Sequence, residues 1–416
     1  MPASTTPSDR PPEDRCPGAL RAHQAADGLL VRVRLPGGQL SPSQLRVLAG
    51  LARDEADGAV ELTSRGNLQL RRLADDSSVR RVADRVAGAG LLPTATHERV
   101  RNLLASPLSG RDPAGRLDVR PMVRDLDAAL RGAADLASLS GRFLFALDDG
   151  RHDVSTLGAD LCWTGGSGIL RLAGTDTGLR AGPDGAVPLL IAAARAFLRL
   201  RGDRRDLWRL ADLPDGPALV TAALAPSART AAPDPSPCTS ATATAAPPDG
   251  TDPAPVVGAR RDGVVVAGVR LGRLTTEQAQ LLADLADSDE IIVTPWRSLV
   301  LDTAGPDIVG RLVTAGLLLD PASPWLGVTA CTGRPGCASA LADVRRDVTE
   351  AVTATGPVRG RLLPVHVVGC ERHCGRPAGP AVLAVATGSG YRIEAGGTSR
   401  PGTPAAALAA RAGRQT

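Results

Sequence analysis

The chain has 416 residues, 43% of them hydrophobic and only 2% aromatic, and sets 48 basic side chains against 44 acidic ones for a formal net charge of +4. This is a globular composition with room for two to four compact units, and its charge balance is too even to argue for a nucleic-acid surface. No apolar run approaches the ~18 residues of a membrane helix, and the polar, Pro-rich start MPASTTPSDRPPEDR lacks a signal peptide's charged and apolar regions. A cytoplasmic protein without membrane or nucleic-acid partners is expected. The basic residues are all arginine, which reads as base-composition bias of the source genome.

From Asp27, DGLLVRVRLPGGQLSPSQLRVLAGLA predicts a strand, a Gly-containing turn, a Ser N-cap and a helix with Leu at helical spacing. VELTSRGNLQLRRL then adds a strand with a Thr-led basic motif, completing a first unit over 20–85. A longer mixed region, 90–221, follows: RNLLASPLSGRDPAGRLDVRPMVRDLDAAL, GRFLFALDDGRHDVS and the apolar helix candidate PLLIAAARAFLRL. Residues 222–256 are mostly Pro, Ala, Ser and Thr, too poor in large apolar side chains to offset their ordering entropy. They are expected to be a flexible linker, with Cys238 inside it.

The first pattern returns at Asp262 as DGVVVAGVRLGRLTTEQAQLLADLA, followed by IIVTPWRSLVL, within 257–320. The shared Asp-Gly start, R-L turn, S/T-x-x-Q cap and closing Thr imply a duplicated α+β unit paired about a pseudo-twofold axis. The last unit, 321–400, holds a helix candidate (ASALADVRRDVTEAV), a strand (RLLPVHVVG) and two closing strands (AVLAVATG, GYRIEAGG). The tail after Arg400 is expected to be mobile.

Within that last unit stand four cysteines in two tight pairs, Cys331 and Cys337 as C-x5-C and Cys370 and Cys374 as C-x3-C. Four thiolates so placed can surround one 4Fe–4S cube, each iron taking one protein sulfur. Structural zinc, where C-x2-C pairs dominate, and two disulfides, disfavoured in a reducing compartment, are the alternatives. Arginine gathers on the short strands of the first half: Arg32 and Arg34 in VRVRLPGG, Arg65 in TSRGNLQL, Arg101 beside Asn102 in VRNLLASP, Arg142 in SGRFLF. Arg32 and Arg34 share one strand face, and Thr63, Arg65, Asn67 and Gln69 form a second polar row. Two such rows suit a ligand with several carboxylates, which guanidinium binds through paired hydrogen bonds. An ordinary solvated sheet face is the alternative for either row alone.

Over roughly 27–395, RLPGG, ELTSRGNLQL, RNLLASPLSGRDP, GRFLFALDD, CTGRPGC and GCERHCGRP resemble the sirohaem-dependent nitrite and sulfite reductases. The resemblance implies a duplicated α+β fold. Ferredoxin-like half-domains would occupy 20–85 and 257–320, a tetrapyrrole/cluster-type domain 90–221 and a 4Fe–4S domain 321–400. It also implies that the four cysteines ligate the cluster, that Cys374 bridges it to a tetrapyrrole iron, and that Arg34, Arg65, Arg101 and Arg142 hold tetrapyrrole carboxylates and small anions. Within that superfamily the chain is similar to the precorrin-3B synthase family. It is short for a sirohaem reductase, and the reductases' paired basic residues at K-x-K spacing are broken, because Leu144 stands two positions after Arg142. That branch implies precorrin-3A and oxygen as substrates, hydroxylation of a meso carbon with lactone closure, an NADH-linked electron donor and a monomeric enzyme. It also implies an additional mononuclear non-haem iron, for which His23, His97, His152, His366, His373, Asp148 and Asp149 are the candidates. Sirohaem belongs only to the reductase alternative.

Overall fold

The computed structural model describes residues 14–228, 256–260, 263–303, 307–357, 362–377 and 379–411. Cys238 and 229–255 of the expected linker lie outside the described residues. The first unit contains β1 (His23–Ala25), β2 (Gly28–Val33), β3 (Gln39–Leu40), α1 (Pro42–Glu55), β4 (Ala59–Leu62), β5 (Leu68–Leu73) and α2 (Asp76–Gly88). The second contains β6 (Leu103–Ala105), α3 (Arg120–Gly132), β7 (Phe145–Asp148), β8 (Leu161–Thr164), β9 (Ile169–Leu172), β10 (Thr175–Arg180), α4 (Pro183–Arg201) and α5 (Gly216–Ala228). Residues 222–228 therefore continue a helix, and the linker cannot begin at 222 as the composition suggested.

The repeat contributes β11 (Gly258–Ala259), β12 (Val264–Gly268), β13 (Arg273–Thr275), α6 (Thr276–Leu285), β14 (Ala286–Val293), β15 (Ser298–Thr303) and α7 (Ile308–Thr314). The last unit is β16 (Val328–Ala330), α8 (Val344–Thr353), β17 (Val365–Val368), β18 (Val382–Thr387), β19 (Gly390–Ala395), β20 (Thr398–Gly402) and α9 (Pro404–Ala410). Residues 401–411 of the tail are thus ordered. Thr403 caps α9 at Ala406 N (3.2 Å), and Ala407 and Leu408 are buried against the last sheet.

Local chemistry repeats along with the sequence. Ser41 and Gln44 close a capping box on α1, and Thr275 and Gln278 close its counterpart on α6, each satisfying two orphan N–H groups. Thr63 Oγ1 accepts from Arg65 N and Asn67 N (3.4 and 3.1 Å), while Thr294 Oγ1 accepts from Trp296 N and Ser298 N (3.2 and 3.3 Å). The two copies also exchange edge strands. One sheet runs β1-β2-β5-β4-β13 and the other β11-β12-β15-β14-β3, so each borrows its last strand from the other copy. With α1 and α6 packed together, Leu45, Leu48, Leu282 and Ile291 belong to one core, and neither copy is an independent domain.

The other two sheets share a topology: β6-β7-β8 and β16-β17-β18 are parallel, and each is extended by two antiparallel strands. Among the described residues, no helix is long and apolar enough to cross a membrane.

Candidate functional site

The cysteines leave the carboxyl ends of two neighbouring parallel strands. Cys331 follows β16 and donates its N–H to Val367 O (2.9 Å), and Gly369, just past β17, donates its N–H to Cys331 Sγ (3.2 Å). Cys337 ends the first loop, whose Ala340 N returns to Cys337 O (3.1 Å), and Leu341 N bonds Gly369 O (2.7 Å), tying the two loops together. All four thiols are unbridged. Burial pushes the Cys331 and Cys374 thiols up, and so do their neighbours: Cys374 and Cys337 for the first, Cys370 and Cys337 for the second. Cys337 and Cys374 thus lie near Cys331, and Cys370 lies near Cys374; binding a metal centre there would displace the thiol protons. An N–H already aimed at a ligand sulfur fits an iron–sulfur site.

His366 on β17 is fully buried and spans the floor, with Nδ1 against Thr329 Oγ1 (2.7 Å) and Nε2 against Cys374 O (3.0 Å). Burial and the charge of Arg297 push its pKa down to about 3, so the ring is a neutral strut.

The two polar rows on the first sheet do meet. Arg32 on β2, Gln69 on β5, Glu61 on β4 and Arg273 on β13 lie in register across four strands. Arg32 Nη2 donates to Gln69 Oε1 (3.0 Å), Gln69 Nε2 to Glu61 Oε2 (2.9 Å), and Arg345 Nη2 of α8 to Glu61 Oε1 (2.7 Å). Arg34 reaches Asn102 Oδ1 (3.4 Å) and Gly141 O (3.1 Å), and Asn67 Nδ2 also donates to Asn102 (3.1 Å). Arg65 donates to Arg142 O (3.3 Å), and the Arg142 guanidinium lies 4.8 Å over the Trp208 ring.

Burial, with Arg32's charge next among the causes that lower it, pushes Arg34 down to about 9; burial and Arg209 push Arg65 down to about 10. Arg32 is held down by burial as well, with Arg142's charge adding to the effect. All remain charged at neutral pH, and among the described residues the buried Nε atoms of Arg32 and Arg34 have no acceptor. Guanidiniums crowded in this way attract an anion.

Three expected site residues act differently. Arg101 points to the opposite side and grips Asp127 of α3 through Nε and Nη2 (2.5 and 3.1 Å), so it is a core ion pair. Thr63 caps the turn that presents Arg65, and Asn67 Oδ1 accepts from Leu35 N (2.9 Å); both shape backbone. Sequence reasoning missed Cys16, which lies beside Arg32, Arg34 and Arg65, and missed Asp14, Arg209 and Trp208, which come from distant segments. No local pattern announced them.

Among the described residues, the histidines expected to ligate an additional iron do not converge on one site. His97 spends both ring nitrogens on Thr96 Oγ1 (2.9 Å) and Ala133 O (3.0 Å), as His366 does on its partners. Among the described residues the converging ligand set is Asp148, Asp149 and Asp153. Asp148 accepts four backbone N–H groups, and Asp149 receives Arg151. His23 stands on β1, His152 N serves Asp148, and His373 Nε2 lies 3.7 Å from Glu371.

Residues 21–78 match the family model described as the nitrite/sulfite reductase ferredoxin-like half domain. The solved structure of the Mycobacterium tuberculosis NirA protein superposes with a TM-score of 0.69 at 22% identity, covering 88% of this chain and 74% of that one. The chain has the α+β fold of the NirA structure and is similar in sequence to nitrite and sulfite reductases. It is 29% identical to a Sinorhizobium precorrin-3B synthase over 94% of this chain and 84% of that protein. It is also 28% identical to the ferredoxin–nitrite reductase of Synechococcus elongatus, over 84% and 74% respectively. These relatives are oxidoreductases, and the chain is read as an enzyme of that class.

Proposed function

We propose that the chain is a precorrin-3B synthase. It would take precorrin-3A and oxygen, hydroxylate a meso carbon and close the lactone, with electrons from an NADH-linked donor, as a monomer. The observation that carries this reading is Leu144. It stands two positions after Arg142, 2% exposed, in an apolar cluster with Leu104, Ala146, Cys162 and Trp296. A second cation there would be buried without a partner at a cost of several kcal/mol. Reduction of nitrite or sulfite calls for dense positive charge and proton donors above the iron, and this wall supplies hydrocarbon.

Cys331, Cys337, Cys370 and Cys374 would hold a 4Fe–4S cluster, which supplies electrons one at a time. Arg32, Arg34, Arg65 and Arg142 would bind the macrocycle's carboxylates, the unpartnered Nε donors of Arg32 and Arg34 and the mutual repulsion of the guanidiniums both favouring an anion. Asn102 and Gln69 accept from Arg34 and Arg32, Asn67 steadies Asn102, and Leu144 would keep water and charge from the adjoining wall.

The test is a visible spectrum of protein purified without oxygen, with iron, sulfide and sirohaem assayed on the same sample. Precorrin-3A, oxygen and reductant are then added and the product mass measured. Cluster iron and sulfide without a sirohaem band, and a product carrying one added oxygen atom, are expected. Stoichiometric sirohaem with no oxygenated product would make the chain a sirohaem reductase.

A further inference from the structure

The polar row on β5 does not end at Gln69. Asn67, Gln69 and Arg71 alternate with Leu68 and Leu70, which enter the core, so the three polar side chains share one face. Arg71 is the far end of that row, and it leaves the arginine site for the cysteine loop. Its Nη2 donates to Asp27 Oδ1 (2.9 Å) and also to Gly336 O (3.1 Å), the carbonyl just before Cys337. Both partners of the ion pair are buried, the Arg71 side chain 6% and Asp27 11% exposed. Gly336 is shaped to receive them: a Cβ there would lie 2.7 Å from Asp27 Oδ2 and 2.6 Å from Thr332 Cγ2. Asp27 comes from the β1–β2 turn, and the loop is 265 positions beyond Arg71 in the chain.

We infer that Arg71, oriented by Asp27, is a positioning residue for the C-x5-C loop and a fixed positive charge beside the metal centre that this loop would carry. The inference rests on the cluster reading above. Adding an electron makes a cluster more negative, so a nearby cation favours the reduced form and a nearby anion the oxidised form. The pair places one of each against the loop, with the cation making the direct hydrogen bond. A charge-assisted hydrogen bond to a buried carbonyl is stronger than a neutral one, and it holds the loop against fraying.

The test uses the full chain with its cluster reconstituted, as parent, Arg71→Met, Arg71→Lys and Asp27→Asn. Each is assayed for iron and sulfide, titrated potentiometrically with EPR detection, and followed for cluster loss to a chelator. Arg71→Met should shift the midpoint potential negative and lose its cluster about tenfold faster; Asp27→Asn should shift the potential positive; Arg71→Lys should stay near the parent. Failure of Arg71→Met to take up a cluster that Arg71→Lys still accepts would also support the positioning role. Full iron content with both midpoints unmoved, or moved in the same direction, would overturn the inference while leaving the cluster reading intact. A parent without iron and sulfide would overturn both.

Discussion

Replacing Arg101 by Met separates the core from the binding site. Arg101 and Asp127 are 5% and 8% exposed. The Asp127 carboxylate receives three N–H donors: Arg101 Nε and Nη2 at 2.5 and 3.1 Å, and Arg131 Nε at 3.0 Å. Breaking a buried pair by removing one partner costs about 3–5 kcal/mol, because the other charge is left uncompensated. Arg131 still covers one oxygen, so the cost should fall near the lower end, about 3 kcal/mol. For a unit of this size that corresponds to a melting temperature lower by roughly 6–12 °C. Urea denaturation and titration with a polycarboxylate porphyrin, both at a temperature where the variant is folded, give the two readouts. Arg101→Met should shift the urea midpoint and leave porphyrin affinity alone, whereas Arg34→Met should weaken porphyrin binding. An Arg101→Met protein with a parental urea midpoint and weakened binding would refute the assignment and return Arg101 to the pocket.

Asp153 has its pKa pushed up to about 7 by burial and by the neighbouring Asp148 charge, against 3.8 for an ordinary aspartate. The folded state therefore holds a proton that the unfolded chain has lost, and this contribution is full below about pH 4 and disappears as pH rises through about 7. Asp153→Asn should accordingly gain stability relative to the parent from about pH 5 to about pH 8, measured as the difference in urea midpoints; a constant difference would place the protonation elsewhere. Truncation after Gly402 removes α9 and uncovers the sheet that buries Ala407 and Leu408. It also removes Arg411, which hydrogen-bonds Pro324 O (3.0 Å) and Leu326 O, so the truncated protein should melt lower and bind a hydrophobic dye; unchanged melting would show the helix to be dispensable.

The repeat was legible because its signals are local. A strand–turn–helix with a capping box is written in consecutive residues, and both boxes, at Ser41 and Thr275, form. The cysteine spacing is local too. Strand exchange was not legible, since β3 and β13 are two and three residues long and pair with strands more than 200 positions away. Arg101 was misread for a similar reason. Alternation puts it and Asn102 on opposite faces, and only the position of α3 shows which face is core. The tail was misread because AAALAA has little amphipathic contrast, and its helix is held by the sheet beneath it.

The least legible duplication is the one nearest the chemistry. In the last unit, Cys331 N bonds Val367 O on the neighbouring parallel strand, and Gly369 N bonds Cys331 Sγ. In the second unit, Ser106 N bonds Leu147 O on the neighbouring parallel strand (3.2 Å), and Asp149 N bonds Ser106 Oγ (3.0 Å). Ser106 therefore occupies the topological place of Cys331, at the carboxyl ends of parallel strands where loops from adjacent crossovers converge. The two places have been filled differently. Around Ser106 the loops close on themselves: Ser106 Oγ donates to Asp153 Oδ1 (2.6 Å), Asp148 gathers four backbone donors, and Arg151 neutralises Asp149. Around Cys331 the loops carry four thiols instead, with one N–H already committed to sulfur. A duplicated scaffold thus offers two equivalent sites. One is spent on hydrogen bonds that stabilise the wall carrying Leu144, and the other carries the two cysteine pairs, with the Gly369 N–H donated to Cys331 Sγ.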